Sequence, residues 1–308
     1  MKYSKPALTR EQQADLLISR GMIGDRDHII SQLSAVNYYR LIGYWHTFRL
    51  PSSHEFSPNT TFDKVWIRYT FDRRLRLQVM DALERVEVHF RGNLAYEFAH
   101  HFSNPFAYAD DPSALPNLHS DQRNRFVKTL ADDMASSKEV FVKHFLTQYG
   151  SDHSYMPVWV ATEIMTFGNI LTMYRGAPDT IKRRIAATFG VHDKVLESWM
   201  LALNTIRNIC AHHSRLWNRQ LGNKPMIPHQ KNAPSWHTPI AIPNDRVFGI
   251  LTILKYSLDR IAPQSSWTTR LHSLLVDYPS IPLASMGFPV DWQTCPIWTT
   301  SPGNIASP

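Results

Sequence analysis

A chain of 308 residues is long enough for one large domain or two ordinary ones. With 43% hydrophobic and 19% charged residues it holds too much apolar material to be disordered. Lys and Arg outnumber Asp and Glu by 33 to 26, a formal charge of +7 with the 15 His neutral, which favours a polyanionic partner such as nucleic acid.

Two cysteines, Cys210 and Cys295, exclude a disulfide framework and a four-cysteine zinc site, and suggest a reducing compartment. Met1-Lys2-Tyr3-Ser4-Lys5-Pro6 has no apolar stretch of signal-peptide type. No uncharged apolar run approaches the roughly 20 residues of a membrane helix. A soluble, cytoplasmic protein without membrane partners is expected.

In chain order the apolar periodicity is helical. Thr9-Arg10-Glu11-Gln12 has the form of a capping box ahead of Ala14, Leu16, Leu17 and Ile18. Asp25 suits the cap of a second helix carrying Ile29, Ile30 and Leu33. Asn37 to Trp45 reads as a short helix or helix–turn, and Pro51, Ser52, Ser53 and Pro58 mark a loop. From Phe62 to Phe102 there is no Pro and one Gly, which predicts one long, bent or straight helix. Further helices are expected over 119–135, 138–148, 157–175, 179–188, 193–214, 245–261 and 266–276. The fold class is all-α, with an N-terminal helical extension (1–58), a helical core (59–278) and a Pro-rich C-terminal segment (279–308). Five prolines between Pro225 and Pro243 predict a long loop between two helices, suited to binding a partner. Trp292, Ile297 and Trp298 either pack the C-terminal segment or leave the chain beyond them loose.

The densest polar constellation is Arg207-Asn208-Ile209-Cys210-Ala211-His212-His213-Ser214-Arg215-Leu216-Trp217-Asn218-Arg219. At about 100° per residue, Asn208, His212, Arg215 and Arg219 share one stripe, while Arg207 stands roughly 140° around from His212. One regular helix therefore does not aim Arg207 and His212 at the same phosphate. Either the helix is distorted near its end, or a second copy completes the site across a two-fold axis. A histidine moves protons to or from oxygen, and arginines bind a phosphodiester and offset charge growing on it. These parts suit metal-independent RNA cleavage, in which a ribose 2′-OH attacks the adjacent phosphate to leave a 2′,3′-cyclic phosphate and a 5′-OH. His213, adjacent to His212, points elsewhere and is not expected to act.

Arg207-Asn208-x-x-x-His212 resembles the R-x4–6-H motif of HEPN-superfamily ribonucleases, including the polar residue after the arginine. Asn37-Tyr38-Tyr39-Arg40-Leu41-x-Gly43-Tyr44-Trp45, Phe71-Asp72-Arg73-x-Leu75-Arg76, Glu84-Arg85-Val86-Glu87, Pro157-x-Trp159 and Met286-Gly287-Phe288-Pro289 accompany it. Their order resembles the Abi (abortive infection, AbiD/AbiF-like) family from about Lys5 to Trp298. The resemblance implies a HEPN-like helical bundle, a toxin-like endoribonuclease in bacterial phage defence, a homodimer, and a structured non-coding RNA or antitoxin as partner. It implies that Arg207 binds the scissile phosphate, His212 is the general base or acid, and Asn208 orients His212 or the ribose. The alternative is a non-catalytic RNA-binding module of the same fold.

Arg215, Arg219, Arg40, Arg73 and Arg76 are candidate RNA contacts. Glu87 and Arg91 should pair at i,i+4, as a plain helix surface or as support for Arg207 or His212. The aromatics from Tyr38 to Trp45 are either core or a base-stacking surface. Adjacent His pairs and the absence of H-E-x-x-H, C-x-x-C or a glycine-rich nucleotide loop predict neither metal nor cofactor.

Overall fold

The computed structural model describes residue 2 and residues 6–299. Lys5, where the family resemblance begins, and residues 300–308 of the Pro-rich segment lie outside the described residues. Within them the chain is all-α, with no strand. The helices are α1 (Arg10–Ser19), α2 (Arg26–Ala35), α3 (Tyr38–Trp45), α4 (Phe62–His101), α5 (Ala107–Asp110), α6 (Ser120–Ser136) and α7 (Val140–Tyr149). They continue with α8 (Val158–Ile164), α9 (Phe167–Gly176), α10 (Asp179–Thr188), α11 (Asp193–Ala211), α12 (Val247–Ile261), α13 (Trp267–Asp277) and α14 (Pro296–Thr299). None of the described helices is long and apolar enough to cross a membrane.

Local chemistry sets the helix starts. Thr9 and Gln12 exchange side-chain and backbone hydrogen bonds in a capping box at α1. Asp25 accepts from the His28 N–H at α2, and Asn37 from the Tyr39 N–H at α3. The 40-residue α4 is a single helix. The periodicity over 157–175 is broken into α8 and α9. Met165 is extended, and the Thr166 hydroxyl accepts from the Asn169 N–H to start a new helix.

The chain forms two compact units. Among the described residues, one runs through Arg76 and takes in Leu271–Pro282; the other is Leu77–Arg270 with residues 283–299. In the first unit, α3 buries Leu41, Tyr44 and Trp45. The Tyr44 hydroxyl donates to Asp72 at 2.6 Å, and Arg76 donates to both Asp72 and the Tyr44 oxygen. Burial, then Asp72, pushes the Tyr44 hydroxyl's pKa well up, so it stays a donor. This buried polar triad joins the Asn37–Trp45 and Phe71–Arg76 motifs.

In the second unit, α12 buries every residue from Val247 to Leu258. The expected loop over 225–243 is built into this core. Trp236 is fully buried, 5.3 Å from Trp199 and 5.2 Å from Tyr256 between ring centroids. The Trp199 indole donates to the Met226 carbonyl at 2.8 Å. Trp298 donates to the Thr252 hydroxyl and stacks on Phe248, so the described part of the C-terminal segment packs on α12.

Candidate functional site

The candidate site belongs wholly to the second unit. Helix α11 buries Val195, Leu196, Trp199, Met200, Leu203, Ile206 and Cys210, spaced three and four apart. Each such side chain, fully buried, contributes on the order of 1.5–3 kcal/mol. That apolar stripe fixes the rotation of the helix and leaves Asn208 and His212 exposed and Arg207 half-buried.

The helix ends sooner than the expected 214. Its last helical residue is Ala211 and His212 is the C-cap. His213 follows with φ 55°. The Ser214 N–H donates to the Ile209 carbonyl at 2.9 Å and the His213 N–H to the Cys210 carbonyl at 3.0 Å. This is a Schellman closure with histidine in the left-handed position usually held by glycine. The two adjacent histidines therefore do different work: His213 makes the turn, and His212 is presented on the last turn. The stripe expected to run through Arg215 and Arg219 stops at His212, because both arginines follow the left-handed turn. They are half-buried, and the Arg219 Nε donates to the Arg215 carbonyl at 2.9 Å.

Arg207 lines a cleft of about 380 Å³ with Glu84, Glu87, Val88, Arg91 and Glu163. Residues 84, 87, 88 and 91 lie three and four apart and share one face of α4. Arg91 is already engaged: it pairs with Glu87 at 2.8 Å and donates to the Thr162 carbonyl. That second bond satisfies one of the open carbonyls at the C-terminal end of α8. Arg207 differs. Among the described residues its one polar contact is the Asn208 Oδ1 at 3.4 Å, and no carboxylate pairs with it. It is the cation of the cleft available to a ligand anion. Among the described residues Glu84 and Glu163 also have no cation partner, so a phosphate entering the cleft meets one unpaired arginine and two unpaired carboxylates beside the Glu87–Arg91 pair. His212 is not among the residues lining this cleft. Since α11 is regular through Ala211, the separation of roughly 140° between Arg207 and His212 persists to the helix end.

The remaining candidates are scattered. Arg40 and Arg73 are exposed in the first unit. Arg76 is only 5% exposed and bonded to Asp72 and Tyr44. A guanidinium so enclosed cannot meet RNA, and the expected contact there is corrected to a core role. The aromatics divide: Tyr44 and Trp45 are core, Tyr38 packs edge-on against Trp45, and Tyr39 is exposed. Glu163 escaped the sequence reading, since no spacing links it to residue 207. Among the described residues no three His, Cys, Asp or Glu side chains converge as metal ligands would.

Residues 31–218 match the family described as Abi-like protein. No curated protein and no solved structure matches the chain. The matched stretch begins in α2, crosses α4 and ends just past the helix-end turn that carries His212. Extending over more than half of the 308 residues, the match makes this chain a member of the Abi-like protein family.

Proposed function

We propose that the protein is a metal-independent endoribonuclease of the HEPN kind, toxin-like and acting in abortive infection, with residues 59–278 as its working core. Family membership supports the defence role. The observation that carries the chemistry is Arg207: a half-buried guanidinium in a cleft, paired with no carboxylate, five residues before an exposed histidine at the end of the same helix.

In this reading Arg207 binds the scissile phosphate and offsets charge growing on its oxygens. His212 takes the proton from the ribose 2′-OH or gives one to the departing 5′-oxygen. The 2′-oxygen forms a bond to phosphorus, the bond to the 5′-oxygen breaks, and the products are a 2′,3′-cyclic phosphate and a 5′-OH. Asn208 orients the ribose or His212, and Glu87 with Arg91 holds the cleft wall facing Arg207. Arg40, Arg73, Arg215 and Arg219 are proposed contacts to the rest of the backbone. A regular α11 leaves a second copy to bring His212 to the phosphate held by Arg207, so the active form is a homodimer. A structured non-coding RNA or antitoxin would restrain such a toxin. End-group analysis of RNA cut by the purified protein tests the chemistry. Cyclic phosphate and 5′-OH ends are expected, and 5′-phosphate ends would overturn it.

The alternative is an RNA-binding module without cleavage. It is favoured by the position of His212 outside the Arg207 cleft and by the carboxylates of Glu84 and Glu163 within it. It predicts steeply salt-dependent binding and no product.

A further inference from the structure

A second cleft in the same unit shares a wall with the first. It measures about 650 Å³, within the range of small-ligand sites. Rings dominate its lining: Phe106, Phe141, Tyr149, His153 and Trp159 all contribute, and Val160 is its one open-chain aliphatic residue. Phe106 and His153 stack at 4.4 Å with their planes 16° apart. Tyr149 and Trp159 are each 52% exposed, so their rings are not spent on the core. Glu163 belongs to the walls of both clefts. It follows Trp159 by four residues on α8, one turn along the same helix face. Its carboxylate has no cation partner among the described residues.

We propose that this ring-lined cleft is a nucleobase subsite: it stacks an unpaired base of the single-stranded RNA whose phosphate Arg207 holds. The inference rests on the RNA reading given above. Flat aromatic walls suit a planar ligand, and every base has a face to stack. Grooves that take varied apolar helices use adaptable, methionine-rich surfaces, whereas this one has no methionine and, of open-chain aliphatics, Val160 alone. The Glu163 carboxylate accepts from N–H donors, which favours bases with an exocyclic amine (adenine, cytosine, guanine) over uracil. Continuity through Glu163 lets one strand place a base against Trp159 and a phosphate near Arg207.

The test uses the full chain and short, labelled 2′-O-methyl single strands, whose blocked 2′-oxygen prevents cutting, so binding is read apart from cleavage. Anisotropy should show Trp159→Leu weakening binding about ten-fold or more, as loss of a stacked base does. Trp159→Phe, which keeps a flat ring, should stay within about three-fold of the parent. Glu163→Gln should narrow the preference for amine-bearing strands over oligouridine. Equal binding by the parent and Trp159→Leu, with Arg207→Ala still weakening it, overturns the subsite and leaves the RNA reading standing. If the parent binds no single strand, both fall. If Trp159→Leu instead abolishes self-association in light scattering, the cleft is covered by a second copy and the proposal is wrong.

Discussion

Replacing Arg91 with alanine probes how the cleft wall is held. Its side chain is 14% exposed and that of its partner Glu87 17%, while its other bond reaches the Thr162 carbonyl at the end of α8. Hydrogen bonds to a charged group contribute about 1.5–3 kcal/mol each. Removing the guanidinium also leaves a carboxylate and a carbonyl in need of water, which the open cleft partly supplies. The expected loss is about 2–4 kcal/mol. At roughly 2–4 °C per kcal/mol for a unit of this size, the melting midpoint should fall by about 5–15 °C. Arg91→Lys keeps the charge but reaches one partner, and should lie between. In a double-mutant cycle, Glu87→Gln and Arg91→Ala should cost less together than the sum of the two alone. Calorimetry of the four proteins reads this directly. A midpoint for Arg91→Ala within a degree or so of the parent's would refute the reasoning.

Other expectations concern the helix end, the thiols and the assembly. His213→Gly should hold stability within about 1 kcal/mol, since relief of the left-handed backbone offsets the added freedom of the unfolded chain. His213→Val should lose about 1–2 kcal/mol by thermal melting, and a reversed order would show that this turn does not set the helix end. Cys210 and Cys295 are buried, and burial pushes the Cys295 thiol up. Neither should react with a thiol reagent at pH 8 until the chain is unfolded. A thiol whose folded pKa is raised contributes stability that is present below its unfolded value, near 8.5, and lost as pH rises through the folded one. Midpoints should therefore decline in that alkaline range for the parent but less for Cys295→Ser. Finally, mixing inactive Arg207→Ala and His212→Ala proteins should restore part of the RNA cleavage, because one composite site of the mixed dimer carries both native groups. No recovery under conditions of subunit exchange would place both groups in one copy.

Much of the fold is legible because its signals are local. Thr9 and Asp25 cap where their short polar side chains predict, and the Pro-free run from Phe62 becomes one helix. Local signals also misled. Thr166 sits inside an unbroken apolar pattern, and only its hydroxyl bond to the Asn169 N–H reveals a helix start. His213 takes a conformation that glycine or asparagine would have advertised. Long-range chemistry was least visible. Arg76, expected at the RNA surface, is instead paired with Asp72 at i,i+4 and buried beside Tyr44, 28 residues before Asp72. The Glu87–Arg91 pair reads from spacing, whereas Thr162, Glu163 and the cleft they form with Arg207 exist only once α8 packs beside α4.

The most direct measurement is RNA cleavage in EDTA by the parent, Arg207→Ala and His212→Ala proteins. The parent should cut, and loss of a positioned acid–base or phosphate-binding group should slow it by about 10²–10⁴-fold. Cutting at the parental rate by both variants, or its abolition in the parent by EDTA, would contradict the account.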